Sequence, residues 1–591
     1  MRDRLLIRHF LRRFLEHDLI SSNADRREIL SAAGGVLITV SLFLSVLIAL
    51  GYQFNNFMPP GIASMRSLDD RFLSVSASML VMALLAVAEW DALSLDARDT
   101  AVLGILPIPK AVIIRAKFSA VALLAVGTGV AWNLAPTLFR GFSLPLGLRI
   151  GVKGALILML AQGVVTFAAG AFGFLAVFGL RETLAALVGR DRFRSISAAL
   201  QAVLLVALTS ALLLLPASYT NVAPRWLAPG GLTTKVFPPL WFVGLHETLA
   251  GGVIDRLPRT RPASYLVLPE LIATDLYRRL RPLYNQLAVY ALVALAVVTV
   301  VTIAAWAWNS RRLPLPVVRR PRKSLAANLA WKWIVARVLA PRATSSLNQA
   351  GFWFTLQTLP RRVSHRAVLA SAVAVGLSLM VITMGARVLV VQRDVASVPL
   401  AVLAAQSVLL ASVLTGFRHA AQVPAEFRAS STFSLAWTGG TRPYLSGVKR
   451  AAWVALVVPI LAGLFLWHSA LLGVRVAGLH FVVGVAVSML LIEALFLRYP
   501  RVPFVSGYVP SVELKSQGIA YVAAVLLLSF TLAAFERLAL PAASGYLVLV
   551  GALVGLSAGV AAFDRAQQPS PVVLDLDEVA PSPTQRLDLA G

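Results

Sequence analysis

The sequence predicts an all-α polytopic membrane protein with about twelve transmembrane helices in two pseudo-repeated six-helix halves. Three observations carry this reading. The chain of 591 residues is 58% hydrophobic and 14% charged, with a mean hydropathy of +0.78. Several runs exceed about 18 largely apolar residues, enough to cross roughly 30 Å of hydrocarbon as a helix. The 54 Lys and Arg, against 27 Asp and Glu, gather in short loops beside those runs. That is the positive-inside pattern. The net charge of +27 therefore reports topology and contact with anionic lipid heads, not nucleic-acid binding.

Residues 1–31 form a basic entry segment without a signal-peptide cleavage pattern. Leu6, Ile7, Phe10, Leu11, Phe14 and Leu15 recur at helical spacing, and Arg4, Arg8 and Arg12 stand on another face. This predicts an interfacial amphipathic helix. Spans follow at about 32–50, 72–90, 118–138, 154–180, 197–216, 286–308, 367–390, 398–416, 451–470, 477–497, 518–536 and 544–563. Starting inside, the loops 91–117, 181–196, 309–366, 417–450 and 498–517 fall in the cytoplasm. The stretch from Ser310 to Arg366 has no acidic residue. Segment 217–285 falls outside, although Arg278, Arg279 and Arg281 precede a span; long loops follow the charge rule poorly. Within it, Trp241, Phe242 and Leu245 predict a helix lying in the outer interface.

The division expected is an N-terminal half (1–308), a basic cytoplasmic linker with a second interfacial segment (309–366), a C-terminal half (367–563) and a Pro-rich disordered tail (564–591). Both termini are expected in the cytoplasm, with the protein in the inner (plasma) membrane.

Two loops carry the functional signal, one after the second span and one after the eighth. The first is acidic and basic at Asp96, Arg98 and Asp99, then apolar at Leu103 and Leu106, then broken at Pro107. The second has Glu426 and Arg428, then Phe433 and Trp437, then Gly439-Gly440. Both restart on a proline, Pro109 or Pro443, suited to a first helical turn. Both end on basic residues, Arg115 and Lys117 or Lys449 and Arg450. Leu103 and Leu106 at i, i+3, and Phe433 and Trp437 at i, i+4, would each make one short apolar face.

Other chemistries find little support. Cysteine is absent, which excludes disulfides, thiolate metal sites and Cys nucleophiles. His246-Glu247 opens a HExxH-like string that lacks its second histidine. No G-x-x-x-x-G-K-[ST] occurs, so no P-loop cradles ATP here. Glu89 and Glu493 close spans two and ten and are expected to pair with nearby arginines. Trp132-Asn133 and Trp467-His468 occupy comparable places in the two halves.

The plan of six spans, a preceding amphipathic helix and a cytoplasmic loop after the second span resembles the permeases of type-2 ABC exporters. The residues carrying the resemblance are Asp96–Leu106 with "LPIPKAVIIRAKF" and Glu426–Trp437 with "PYLSGVKR". The second loop lacks the Leu-Pro pair of the first. The resemblance implies coupling helices that dock in a groove of separate ABC ATPase subunits. Asp96, Arg98, Asp99, Leu103, Leu106, Glu426, Arg428, Phe433 and Trp437 would be the docking residues. It also implies a pseudo-dimer within one chain and no catalytic residue, cofactor or metal of its own. Two other readings remain: a twelve-helix secondary transporter, and a membrane-embedded lipid or sugar transferase.

Overall fold

The computed structural model describes residues 2–15, parts of 35–48, 60–90, 92–93, 108–148, 151–218, 227, 231–254, 267–311, 345–361, 363–384, 398–425, 441–499, 502–505 and 514–566. These residues are helical apart from turns and short connections, and the chain divides into two compact units near residue 318.

The N-terminal unit contains α1 (Arg2–Leu15), α2 (Pro60–Ala88), α3 (Lys110–Leu148), α4 (Gly151–Val188), α5 (Arg190–Ser218), the short α6 (Leu232–Val236), α7 (Pro238–Ile254) and α8 (Val267–Arg311). The described residues between 35 and 48 are also helical. The C-terminal unit contains α9 (Ser346–Arg361), α10 (Val363–Met384), α11 (Leu400–Gln422), α12 (Thr441–Ala452), a π-helical turn at Trp453–Val457, α13 (Val458–Leu472), α14 (Val474–Leu495), α15 (Leu514–Ala539) and α16 (Ala543–Ala566). Among the described residues, eleven helical stretches are long and apolar enough to cross a membrane. Their outer faces carry many exposed aliphatic side chains, such as Leu160, Val203, Val300, Leu466, Leu527 and Val548. So much exposed apolar surface suits lipid and not water.

Five pairings recur in both units. The amphipathic entry helix lies against the third-span helix (α1 on α3, α9 on α12). The second-span helix packs on the fourth and fifth (α2 on α4 and α5, α11 on α14 and α15). The fourth packs on the third and the sixth (α4 on α3 and α8, α14 on α13 and α16). Each unit also has core clusters at both ends. In the N-terminal unit one gathers Phe10, Trp90, Ile113, Phe178 and Trp306, and the other gathers Leu68, Phe72, Leu215, Phe242 and Leu280.

Several expectations are corrected. Residues 267–285, read as loop, are the first turns of α8. Pro282 lies within this helix, where neighbouring helices and local adjustment can compensate for its missing N–H. The third C-terminal span begins at Thr441, ten residues earlier than the predicted 451, and α16 runs through Asp564 to Ala566. The helix expected around Trp241, Phe242 and Leu245 exists as α7, and it packs as a core helix and not as an exposed one. Leu240, Phe242, Val243 and Leu245 are buried, and α7 packs on α2, α4 and α8. His246 and Glu247 are buried as well, so both the apolar and the ionisable side chains of α7 are taken up by neighbouring helices. Residues 312–344 of the linker and the tail 567–591 lie outside the described residues.

Candidate functional site

The nine residues expected to dock an ATPase (Asp96, Arg98, Asp99, Leu103, Leu106, Glu426, Arg428, Phe433 and Trp437) lie outside the described residues. What is described is the frame that holds both loops.

In the N-terminal unit the first loop leaves from Leu93 and returns at Ile108. Trp90 and Leu93 are fully buried. Pro109 stands just before α3, its carbonyl accepting from the Val112 amide at 2.9 Å. The proline ring presets the backbone for the turn that follows. Beside this entry, α1 buries Leu6 and Phe10 and leaves Arg4 and Arg8 exposed. The buried ammonium of Lys117 sits 4.7 Å from the centre of the Phe10 ring, a cation–π contact strengthened by desolvation.

Glu89 lies one residue beyond the membrane-crossing stretch of α2. Burial pushes its carboxyl up to about 7, and the charge of Lys117 opposes the rise. Trp90 stacks on Phe193 at 6.5 Å and donates to the Ser197 hydroxyl at 2.8 Å. The Arg181 guanidinium lies 5.9 Å from both of those rings and pairs with Glu182. Asn309, at the end of α8, donates to the Glu182 carboxylate and carbonyl, each at 2.8 Å. The loop therefore hangs from a polar knot tying the ends of α2, α4, α5 and α8.

The C-terminal frame solves the same problem differently. Helices α9 and α12 meet backbone to backbone, at Gly351 against Tyr444 and Gly447 against Asn348. Lys449 and Glu493 pair at 2.7 Å with both side chains partly exposed. The Arg418 guanidinium donates to the Leu495 carbonyl. The strand-like exit from α11 is pinned by two backbone bonds: the Ala425 amide to the Phe504 carbonyl (2.8 Å) and the Phe504 amide to the Ala421 carbonyl (2.7 Å). Phe504 is buried with φ of 65°, an uncommon backbone for an aromatic residue. His365 is fully buried with Nε2 3.0 Å from the Val423 carbonyl, and its ring packs on Phe504.

Glu493 pairs with a lysine, Lys449, where an arginine was expected. The charge of a second lysine near the start of a third span, Lys117, acts on Glu89. An ammonium at that position can reach a neighbouring helix end while its stem stays packed. Glu182 was not singled out by sequence. The available signal was its position at the end of the fourth span, where Glu493 stands in the second half.

Two further clusters lie toward the opposite ends of the helices. Glu247 of α7 pairs with the buried Arg71 of α2 and accepts from the Tyr277 hydroxyl of α8 at 2.6 Å. This ties the HExxH-like string to an ion pair. His480 and Glu536 form a second buried pair in the C-terminal unit, beside His468. Trp132 and Asn133 are buried in the N-terminal unit, as His468 is in the other.

These features define a polytopic helical membrane protein built from two units with matching internal pairings. No protein-family model, curated protein or solved structure matches the chain.

Proposed function

We propose that the protein is the membrane-spanning permease subunit of an ATP-driven exporter, coupled through its two loops to separate ABC ATPase chains. The observation that supports this is the repeated frame: in both units an amphipathic helix braces the third-span helix beside the loop between spans two and three. A loop held this way can pass a push from a docked partner into the bundle, because packed helices move as units. ATP binding to the partner would then favour one of two helix arrangements, by differential affinity for them. In this reading the loops face the cytoplasm and the termini lie on the same side.

The chain has no cysteine, so single cysteines can be placed at 103 and 437 without background. Cross-linking of both to an ABC ATPase, together with maleimide labelling only from the cytoplasmic side, is the expected result. Labelling of either position from outside would overturn the reading. The buried ionisable residues Arg71, Glu247, His480 and Glu536 favour a second reading, a twelve-helix secondary transporter. Ion-dependent, ATP-independent uptake in vesicles would select it.

A further inference from the structure

Three titratable side chains from three helices meet inside the C-terminal unit. His480 of α14 places Nδ1 2.7 Å from Glu536 Oε1 of α15, and both side chains are 1% exposed. His468, near the end of α13, packs edge-on against His480 with ring centres 4.7 Å apart. It too is 1% exposed. Nε2 of both histidines is buried with no hydrogen-bond partner among the described residues.

Among the described residues, the immediate surroundings supply no compensating charge. From α11, Gln406 donates to the His480 carbonyl at 2.9 Å. From α16, the Tyr546 hydroxyl donates to the Leu479 carbonyl at 2.8 Å. Both groups are neutral. α13 carries no other titratable residue. Arg475 of α14 and Arg537 of α15 stand near this end but are exposed. Arg418 and His419 of α11, Glu493 of α14, Lys515 and Tyr521 of α15, and Asp564 and Arg565 of α16 sit toward the other ends of their helices.

We propose that His468, His480 and Glu536 form an intramembrane proton site that takes up one proton per chain. All three side chains are buried. Among the described residues, no group of three His, Cys, Asp or Glu is arranged to hold a metal ion. With both imidazoles neutral and Glu536 ionised, the cluster holds one uncompensated negative charge in a low-dielectric setting, the costly state. One proton on His480 turns it into an ion pair. A second proton on His468 would place two cations in ring contact, which like-charge repulsion opposes. The proton therefore belongs to His480, and its arrival alters the attraction between α14 and α15. This inference does not rest on ATP-driven export and would hold for either transport reading.

The test uses the full-length protein, labelled at histidine, in lipid nanodiscs. His480 is assigned by His480→Gln, and its ring signals are followed by NMR from about pH 8 to pH 5. The expected result is that His480 passes once from neutral imidazole to imidazolium in the wild type, with His468 neutral throughout. In Glu536→Gln, which keeps the shape and an acceptor oxygen, His480 should stay neutral, and dye-detected proton uptake should fall by one per chain. A His480 ring that keeps one charge state across the whole range in the wild type overturns the proposal. Should Glu536→Gln fail to fold, that wild-type titration alone decides.

Discussion

Substituting Gly447 by alanine tests whether α9 and α12 depend on direct backbone contact. A Cβ at this position would lie 2.0 Å from the Asn348 carbonyl oxygen and 2.8 Å from the Phe352 amide nitrogen. Both atoms belong to the α9 backbone, so no side chain can swing away and the helices must part. Overpacking of this kind costs typically 1–3 kcal/mol. The severity of the overlap argues for the upper value, about 3. Alanine returns about 1 kcal/mol of helix propensity, leaving a net loss of about 2 kcal/mol, or roughly 30-fold in the docking equilibrium. Gly463 is the matched control, since a Cβ there meets nothing within 4 Å. Hydrogen exchange of the full-length protein in nanodiscs reads the effect at the α9 amides, 346–361. Gly447→Ala should speed their exchange about 30-fold, and Gly463→Ala should leave it unchanged. Equal exchange in the two variants would refute the backbone-contact reasoning.

Glu182→Ala takes the carboxylate from the Arg181 pair and removes one of the Asn309 hydrogen bonds, so it should destabilise by about 3–5 kcal/mol. Glu493→Ala, whose pair is partly exposed, should cost about 1 kcal/mol or less; thermal unfolding in detergent gives the order. Glu89 has a folded-state value of about 7 against an ordinary 4.5. Its stability contribution is thus full below about pH 4.5 and lost as the pH rises through about 7. That loss amounts to about 3 kcal/mol, and Glu89→Gln should flatten this part of the stability-against-pH curve. If the loops couple to an ATPase as proposed, Leu103→Asp and Trp437→Asp should each weaken co-purification with it and uncouple transport without preventing insertion, because each would remove an apolar contact of roughly 1.5–3 kcal/mol. Unchanged co-purification in both would end the coupling proposal. A reporter fused at residue 330 should read cytoplasmic; an outside reading breaks the topology.

Spans were legible because apolar runs and basic flanks are local signals that need no tertiary knowledge. The amphipathic character of residues 2–15 was legible for the same reason, and Leu6 and Phe10 are indeed the buried positions. The polar knots were not legible. Arg181, Glu182 and Asn309 meet only because α4 and α8 pack along their length. The burial of α7 was also missed: Trp241, Phe242 and Leu245 suit an interface and a core equally, and only the partners α2, α4 and α8 decide. Glu536 closes its helix beside Arg537, so it reads as an interfacial acid until α14 supplies His480.

The π-helical turn at Trp453–Val457 gives the two third-span helices different mechanics. In the N-terminal unit α3 has no π-helical turn between Lys110 and its first internal proline, Pro136, so a displacement at its loop end would travel farther before it met a weak point. In the C-terminal unit the widened turn, followed at once by Pro459, interrupts the regular ladder between α12 and α13. That helix is a jointed lever. Part of any displacement at Thr441 would be absorbed as rotation at this joint before it reached His468. Equal strokes at the starts of the two third-span helices would therefore reach different depths, each within its own unit.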